Sequence, residues 1–156
     1  MEAKAANNKT YHLTHNDQWL GELAYANLFY LKAEIRLVNT EVYEIKPKGF
    51  LGTSIKVWKQ GIEIADIHMT WRGHVAFAFN NGREYALKTT GMLNNKYSIE
   101  NEFGETLLQL EPEFKWNKFN YNYKVPFTKN PHDILLVMLG IYGANYFVNA
   151  MSGSML

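Results

Sequence analysis

A chain of 156 residues, 47% hydrophobic and 20% charged, has enough apolar mass for one sizeable core and excludes a disordered chain. Zero cysteines exclude a disulfide scaffold, thiolate metal centres, cysteine nucleophiles and palmitoylation, and they fit a reducing compartment, so the expected location is the cytoplasm. A net charge of +1 gives no general pull toward nucleic acid, so no nucleic-acid partner is expected, although a local basic patch fits inside such a total.

Residues 1–9 lack the apolar run of a secretory signal and are expected to fray. From Thr10 to Val125, segments rich in Ile, Val, Tyr, Phe and Trp alternate with turn residues about every ten positions, the pattern of an all-β body. Turn signals at Gly49, Gly61, Gly73, Gly82, Gly91, Asn94–Asn95 and Gly104 predict strands over 10–15, 18–24, 32–38, 40–46, 50–58, 62–70, 74–79, 83–89, 96–101, 105–110 and 113–125. Residues 25–31 fit either helix or strand. No repeat, linker or low-complexity tract divides the chain, so 1–156 is read as one domain.

Periodicity adds detail. Asn80-Asn81-Gly82 contains the Asn-Gly pair of a two-residue hairpin. The flanking pattern asks for three loop residues, which set Phe77 across from Tyr85 and Val75 across from Leu87 with Gly82 at positive φ. Aromatics at Phe114, Trp116, Phe119, Tyr121 and Tyr123 slip by one at Asn117-Lys118, predicting a bulge in one long strand. Ile62, Ile64, Ile67 and Met69 slip likewise at Ala65-Asp66.

The last stretch, 134–151, carries no charge, and a helix apolar on every side must be buried. Asn130 is the expected N-cap, with Pro131 at the first helical position and Asp133 near the positive end of the dipole, giving a helix over 131–151. So many antiparallel strands favour closure, and a barrel this wide needs a filling that the helix supplies. The expected fold is therefore mainly β, a closed antiparallel barrel of about twelve strands enclosing a C-terminal hydrophobic helix.

This order, together with Tyr43-Glu44-Ile45 before Gly49-Phe50, Tyr85-Ala86-Leu87-Lys88, Tyr97-Ser98-Ile99 before Gly104, and the closing helix from Ile134 to Tyr146, resembles the tubby-like barrel superfamily over roughly residues 10–151. That superfamily comprises tubby C-terminal domains, phospholipid scramblases and LURP-one-related proteins. The resemblance implies a twelve-stranded barrel around a hydrophobic helix, and phosphoinositide or membrane association. Residues 114–130 are rich in Asn and Lys where scramblases have an acidic calcium-binding stretch, so calcium-driven scrambling is not implied.

Motifs for a nucleophile elbow, dinucleotide or phosphate loops and zinc proteases are absent, so the reading is non-enzymatic, with no catalytic residue and no cofactor. Asp66, His68 and His74 are the best metal candidates, His74 sharing their face only if the intervening loop is odd; they are read as exterior polar positions and no metal is expected. Lys56, Lys59, Arg72, Arg83, Lys88, Lys115, Lys118 and Lys124 are read mainly as a solvated exterior, and as candidates to hold an anionic lipid headgroup if several converge at one barrel end. Asn145 and Asn149 share a helix face with Tyr142, either bonding to barrel groups or lining a ligand cavity. The leading expectation is a binding module with an anionic membrane lipid as partner through peripheral contact. The alternatives are a tail-anchored membrane protein or a small-molecule carrier or enzyme with a pocket at a barrel mouth.

Overall fold

A computed structural model describes residues 1–26, 31–49, 54–91, 95–115 and 120–153. The alternation read from the sequence becomes a wall with one dry side: along the strands, residues such as Leu13, Leu23, Ile35, Ile45, Ile67 and Leu87 are buried while their neighbours face outward. The strands are β1 (Glu2–Ala5), β2 (Thr10–His15), β3 (Gln18–Tyr25), β4 (Ala33–Leu37), β5 (Val42–Lys48) and β6 (Ser54–Lys59). They continue with β7 (Ile62–Met69), β8 (Val75–Phe79), β9 (Glu84–Thr90), β10 (Lys96–Asn101), β11 (Thr106–Lys115) and β12 (Asn120–Thr128), followed by helix α1 (Ile134–Gly153). Each strand pairs antiparallel with its chain neighbours, and β1 pairs with β12 to close the barrel.

That closing pair corrects the expectation that residues 1–9 fray. Glu2 lies across from Lys124 and Ala3 across from Tyr123 on one side, while all four β1 residues pair with β2 on the other. Ala3 and Ala5 point inward, small side chains set against the bulky Tyr11, Leu13 and Tyr123. A second correction concerns 113–125. Phe114 pairs with Tyr121 and Lys115 with Asn120, so the aromatic phase slip marks a reversal between two strands, not a bulge in one. Asn117 and Lys118 themselves, like part of the ambiguous 25–31, lie outside the described residues. The β7 bulge is present one step before Ala65: Val57 faces Ala65 and Trp58 faces Glu63, leaving Ile64 as the extra residue.

The turns obey local rules. Phe77 faces Tyr85 and Val75 faces Leu87, with Gly82 at φ 88° and its N–H donating to the Phe79 carbonyl at 3.0 Å. This is the three-residue loop that the apolar pattern requires. The same closing pattern recurs at 38–40, 71–73 and 102–104, where Gly73 and Gly104 take the left-handed position but Thr40 takes it in the first loop, at φ 71°. Asn16 and Asp17 form a two-residue turn, both at positive φ.

The helix begins later than 131. Asp133 Oδ1 accepts the Leu136 N–H at 3.1 Å and is the N-cap, whereas Asn130 closes a separate turn by accepting the His132 N–H through its side chain. From Leu136 to Asn145 every residue is buried. The helix is long and apolar enough to cross a membrane, yet here the barrel provides the surroundings its surface requires. Its glycines are explained by approach to the wall: a Cβ on Gly143 would lie 2.6 Å from Phe77 Cζ.

Two mouths result. At the entry mouth, where α1 starts, lie the connections 16–17, 38–41, 60–61, 80–83, 102–105 and 129–133; at the exit mouth lie the described connection residues 6–9, 26, 31–32, 49, 70–74, 91 and 95.

Candidate functional site

Inside the barrel, the polar groups around Asn145 are matched to one another. Asn145 Oδ1 accepts from Tyr123 Oη at 2.6 Å, its Nδ2 donates to Tyr25 Oη at 3.0 Å, and Tyr142 Oη donates to the Leu31 carbonyl at 2.7 Å. The amide is thus committed to fixing the rotation and height of α1, and Asn149 is exposed. Burial pushes Tyr97 up to about 12 and raises Tyr123 and Tyr142 strongly, since a phenolate there would lose its hydration.

Outside, the sequence-predicted cations are dispersed. Lys56, Lys88 and Lys124 lie on the wall, Lys59 and Arg83 at the entry mouth, and Arg72 and Lys115 at the exit mouth; Lys118 lies outside the described residues. Most are matched to carboxylates: Lys56 with Glu63 and Asp66, both at 3.1 Å, Lys59 with Glu41 at 2.7 Å, Lys88 with Glu100 at 2.6 Å and Lys115 with Glu113 at 2.8 Å. Hydrogen bonds from Lys59, Tyr43 and Asn39 hold the Glu41 carboxyl below its ordinary value. Arg83 and Lys124 have no such partner among the described residues, and Arg72 lies over the Trp71 ring, 5.0 Å from its centroid. The eight candidates therefore do not form one site.

Asp66 is similarly occupied. It accepts from Ser54 Oγ at 2.9 Å, and His68 Nδ1 lies 3.0 Å from its other oxygen. Desolvation pushes Asp66 up, but the Lys56 and Ser54 hydrogen bonds outweigh it and hold the carboxyl below its ordinary value. The loop is odd, so His74 faces outward opposite Thr70, and no group of three or more metal-ligating side chains forms among the described residues.

The mouths differ in charge. The entry connections carry Asp17, Glu41, Glu102, Glu105 and Asp133 with Arg83 and Lys129, whereas the exit connections carry no Asp or Glu among the described residues, only Lys9, Lys32 and Arg72. Residues 27–30, 50–53, 92–94 and 116–119, which lie outside the described residues, contain no Asp or Glu in the sequence. At the exit mouth Trp71 is 90% exposed at a turn tip. This residue was missed by reading cations alone; the signal lay in adjacency, an aromatic and a cation in the two unconstrained positions of a turn whose third is glycine.

Concave sites lie elsewhere. A cavity of about 410 Å³ at the entry mouth has Leu20, Leu37, Ile134 and Leu135 with Asn39, Glu41 and His132 around it. A second, of about 330 Å³, lies over the outer face of β8 and β9. Comparison with family models, curated proteins and solved structures finds no match.

Proposed function

We propose that the protein is a non-enzymatic module that binds an anionic phospholipid surface through its exit mouth. The observation carrying this reading is the partition of charge: carboxylates gather in the entry connections and are missing from the described exit connections, where Trp71 stands exposed under Arg72. An aromatic ring prefers the headgroup level, and each basic residue near such a surface contributes about 1 kcal/mol. The resemblance to tubby-like barrels points the same way. Of the residues first considered, Arg72 and Lys115 lie at this mouth, Lys115 paired with Glu113; Lys118 lies outside the described residues, and Lys56, Lys59, Arg83, Lys88 and Lys124 lie elsewhere. Contact would be peripheral, since α1 is occupied in the barrel.

Cosedimentation tests this. Protein should pellet with phosphatidylcholine vesicles containing phosphatidylserine at low salt and remain soluble with phosphatidylcholine alone. No pelleting with any anionic vesicle would remove the reading.

A second reading, a small-molecule carrier, is favoured by the entry-mouth cavity, where an apolar floor meets a few polar groups. Native mass spectrometry of protein purified from cells, searching for a stoichiometric small ligand, tests it.

A further inference from the structure

We propose that the trough on the outer wall over β8 and β9 docks a basic peptide segment of a partner protein, with a Lys or Arg stem along its alanine floor and the cationic head between Glu84 and Glu102. The floor follows from register. Ala76 lies across from Ala86 and Ala78 across from Glu84, so three outward positions in a row carry only a methyl group, between His68 on β7 and the longer Glu84 and Lys88 at either side on β9. The result is the 330 Å³ trough, with His68 and Thr70 at one end and Glu84, Asn101 and Glu102 at the other.

Its charge sets it apart. Carboxylates along the rest of the wall, among them Glu22, Glu44, Glu63, Asp66, Glu100 and Glu111, each meet a basic side chain. Glu84 and Glu102 meet none among the described residues. Asn101 pairs with Tyr85 at the end of the ladder, Glu102 opens the turn that follows, and both Glu84 and Glu102 line the same end of the trough. Like charges that line one trough repel, and the fold gains nothing from leaving them unmatched.

The trough's chemistry narrows the guest. An anion is repelled by both carboxylates, a neutral group leaves them unpaired, and a bare metal ion has no use for an apolar floor. A Lys or Arg side chain fits both parts, its methylenes covering alanine methyls and its head taking charge-assisted hydrogen bonds. Because the trough is half open and lies on a wall, it covers one side of a guest. That suits a side chain delivered by a larger surface better than a free amine, which needs enclosure. Backbone pairing does not contribute, since both strands are already paired on each edge.

The test uses the full chain without lipid, so its failure is separate from failure of the membrane reading. The probe is a short fluorescein-labelled peptide alternating lysine and alanine, read by anisotropy at moderate salt. Glu84→Gln/Glu102→Gln should weaken binding by about ten- to a hundredfold, as expected for lost hydrogen bonds to charged groups. The same double change should raise the thermal unfolding midpoint by relieving repulsion. Ala86→Leu, which fills the trough without altering charge, should weaken binding similarly while unfolding cooperatively. Asp17→Asn, an unpaired carboxylate elsewhere, should leave binding unchanged. Affinity that survives the double change or Ala86→Leu, or that falls equally with Asp17→Asn, would overturn the proposal, as would tighter binding of free spermidine than of the peptide.

Discussion

The entry and exit mouths are made by the same ladder, yet their connections obey different constraints. At the entry mouth the loops are two to five residues long, and backbone geometry dictates much of their sequence. Asn39, Asn81 and Asn101 accept backbone N–H groups two positions on, and Gly61, Gly82 and Gly104 adopt positive φ. At the exit mouth only some positions are fixed this way; in the 70–74 connection Gly73 meets the backbone requirement, while Trp71 and Arg72 are free of it. Where geometry does not choose the residues, composition speaks about contacts with other molecules. Asn and Gly serve backbone geometry at both mouths, whereas the lack of carboxylates in the described exit connections has no such backbone cause.

The comparison presumes that α1 holds both mouths in one body, and the largest expected effect comes from breaking that link. Leu139 is fully buried midway along the helix, so Leu139→Lys introduces a charge with neither water nor a partner, and deletion of 134–156 empties the barrel. Both variants should aggregate or lose cooperative unfolding. A truncated chain melting near the intact protein would show that the two mouths stand without the helix.

Next in size, Gly143→Ala sets helix propensity, which favours Ala by about 1 kcal/mol, against the close approach of Phe77. Overpacking should win, with a net loss of about 1–3 kcal/mol by denaturant unfolding. A stabilised variant would show that the wall on the exit side of α1 can yield.

The tyrosines toward the exit mouth set an alkaline limit. Tyr97 titrates near 10 when unfolded and is pushed up to about 12 when folded, so its stability contribution is complete below pH 10 and is lost as pH rises through 12. Tyr123 and Tyr142 shift in the same direction. Unfolding midpoints should fall above pH 10, and the part of the phenolate absorbance lost in Tyr97→Phe, Tyr123→Phe and Tyr142→Phe should appear together with loss of fold, not before it. Smaller again, Arg72→Glu changes the charge by two units and should lower the partition onto phosphatidylserine-containing vesicles by about thirtyfold, on the basis of roughly 1 kcal/mol per unit charge. Asp17→Asn at the other mouth should not lower it. Equal losses would erase the distinction between mouths. The smallest effect is confined to the entry mouth: Thr40→Gly removes a β-branched residue from φ 71° and should stabilise by about 1 kcal/mol.

Most of the barrel was legible because burial imposes a two-residue period on each strand and a turn residue marks each end. The exceptions have physical causes. β1 reads Glu-Ala-Lys-Ala, an alternation with little apolar bulk, since Ala3 and Ala5 yield space to large tyrosines and leucines. The β11–β12 reversal contains neither Gly nor Pro, and a one-residue slip in periodicity looks the same whether the chain bulges or turns back. Asn130 and Asp133 both suit a helix cap, and only the turn over Pro131 and His132 decides between them. For the candidate site, residue types were visible but their pairing was not. Lys56, Lys59, Lys88 and Lys115 are matched mostly across strands, which depends on register, and the unmatched Glu84 and Glu102 emerge only when the rest of the wall is accounted for.

The pairing of β1 with β12 also governs how the molecule is made. The Ala5 N–H reaches Asn122 Oδ1 across 117 residues of chain, at 2.9 Å, and α1 is synthesised only after that partner strand. The outer edge of β1 therefore has no partner until β12 has been made, and the barrel has no filling until α1 follows. The N-terminal strand acts as a latch that completes the ladder around its filling. Such a long-range closure belongs to the slow class of folding reactions, with unpaired edges as its hazard in the interval. Removing residues 1–5 would leave the helix in place but the latch undone, turning β2 and β12 into permanent edges.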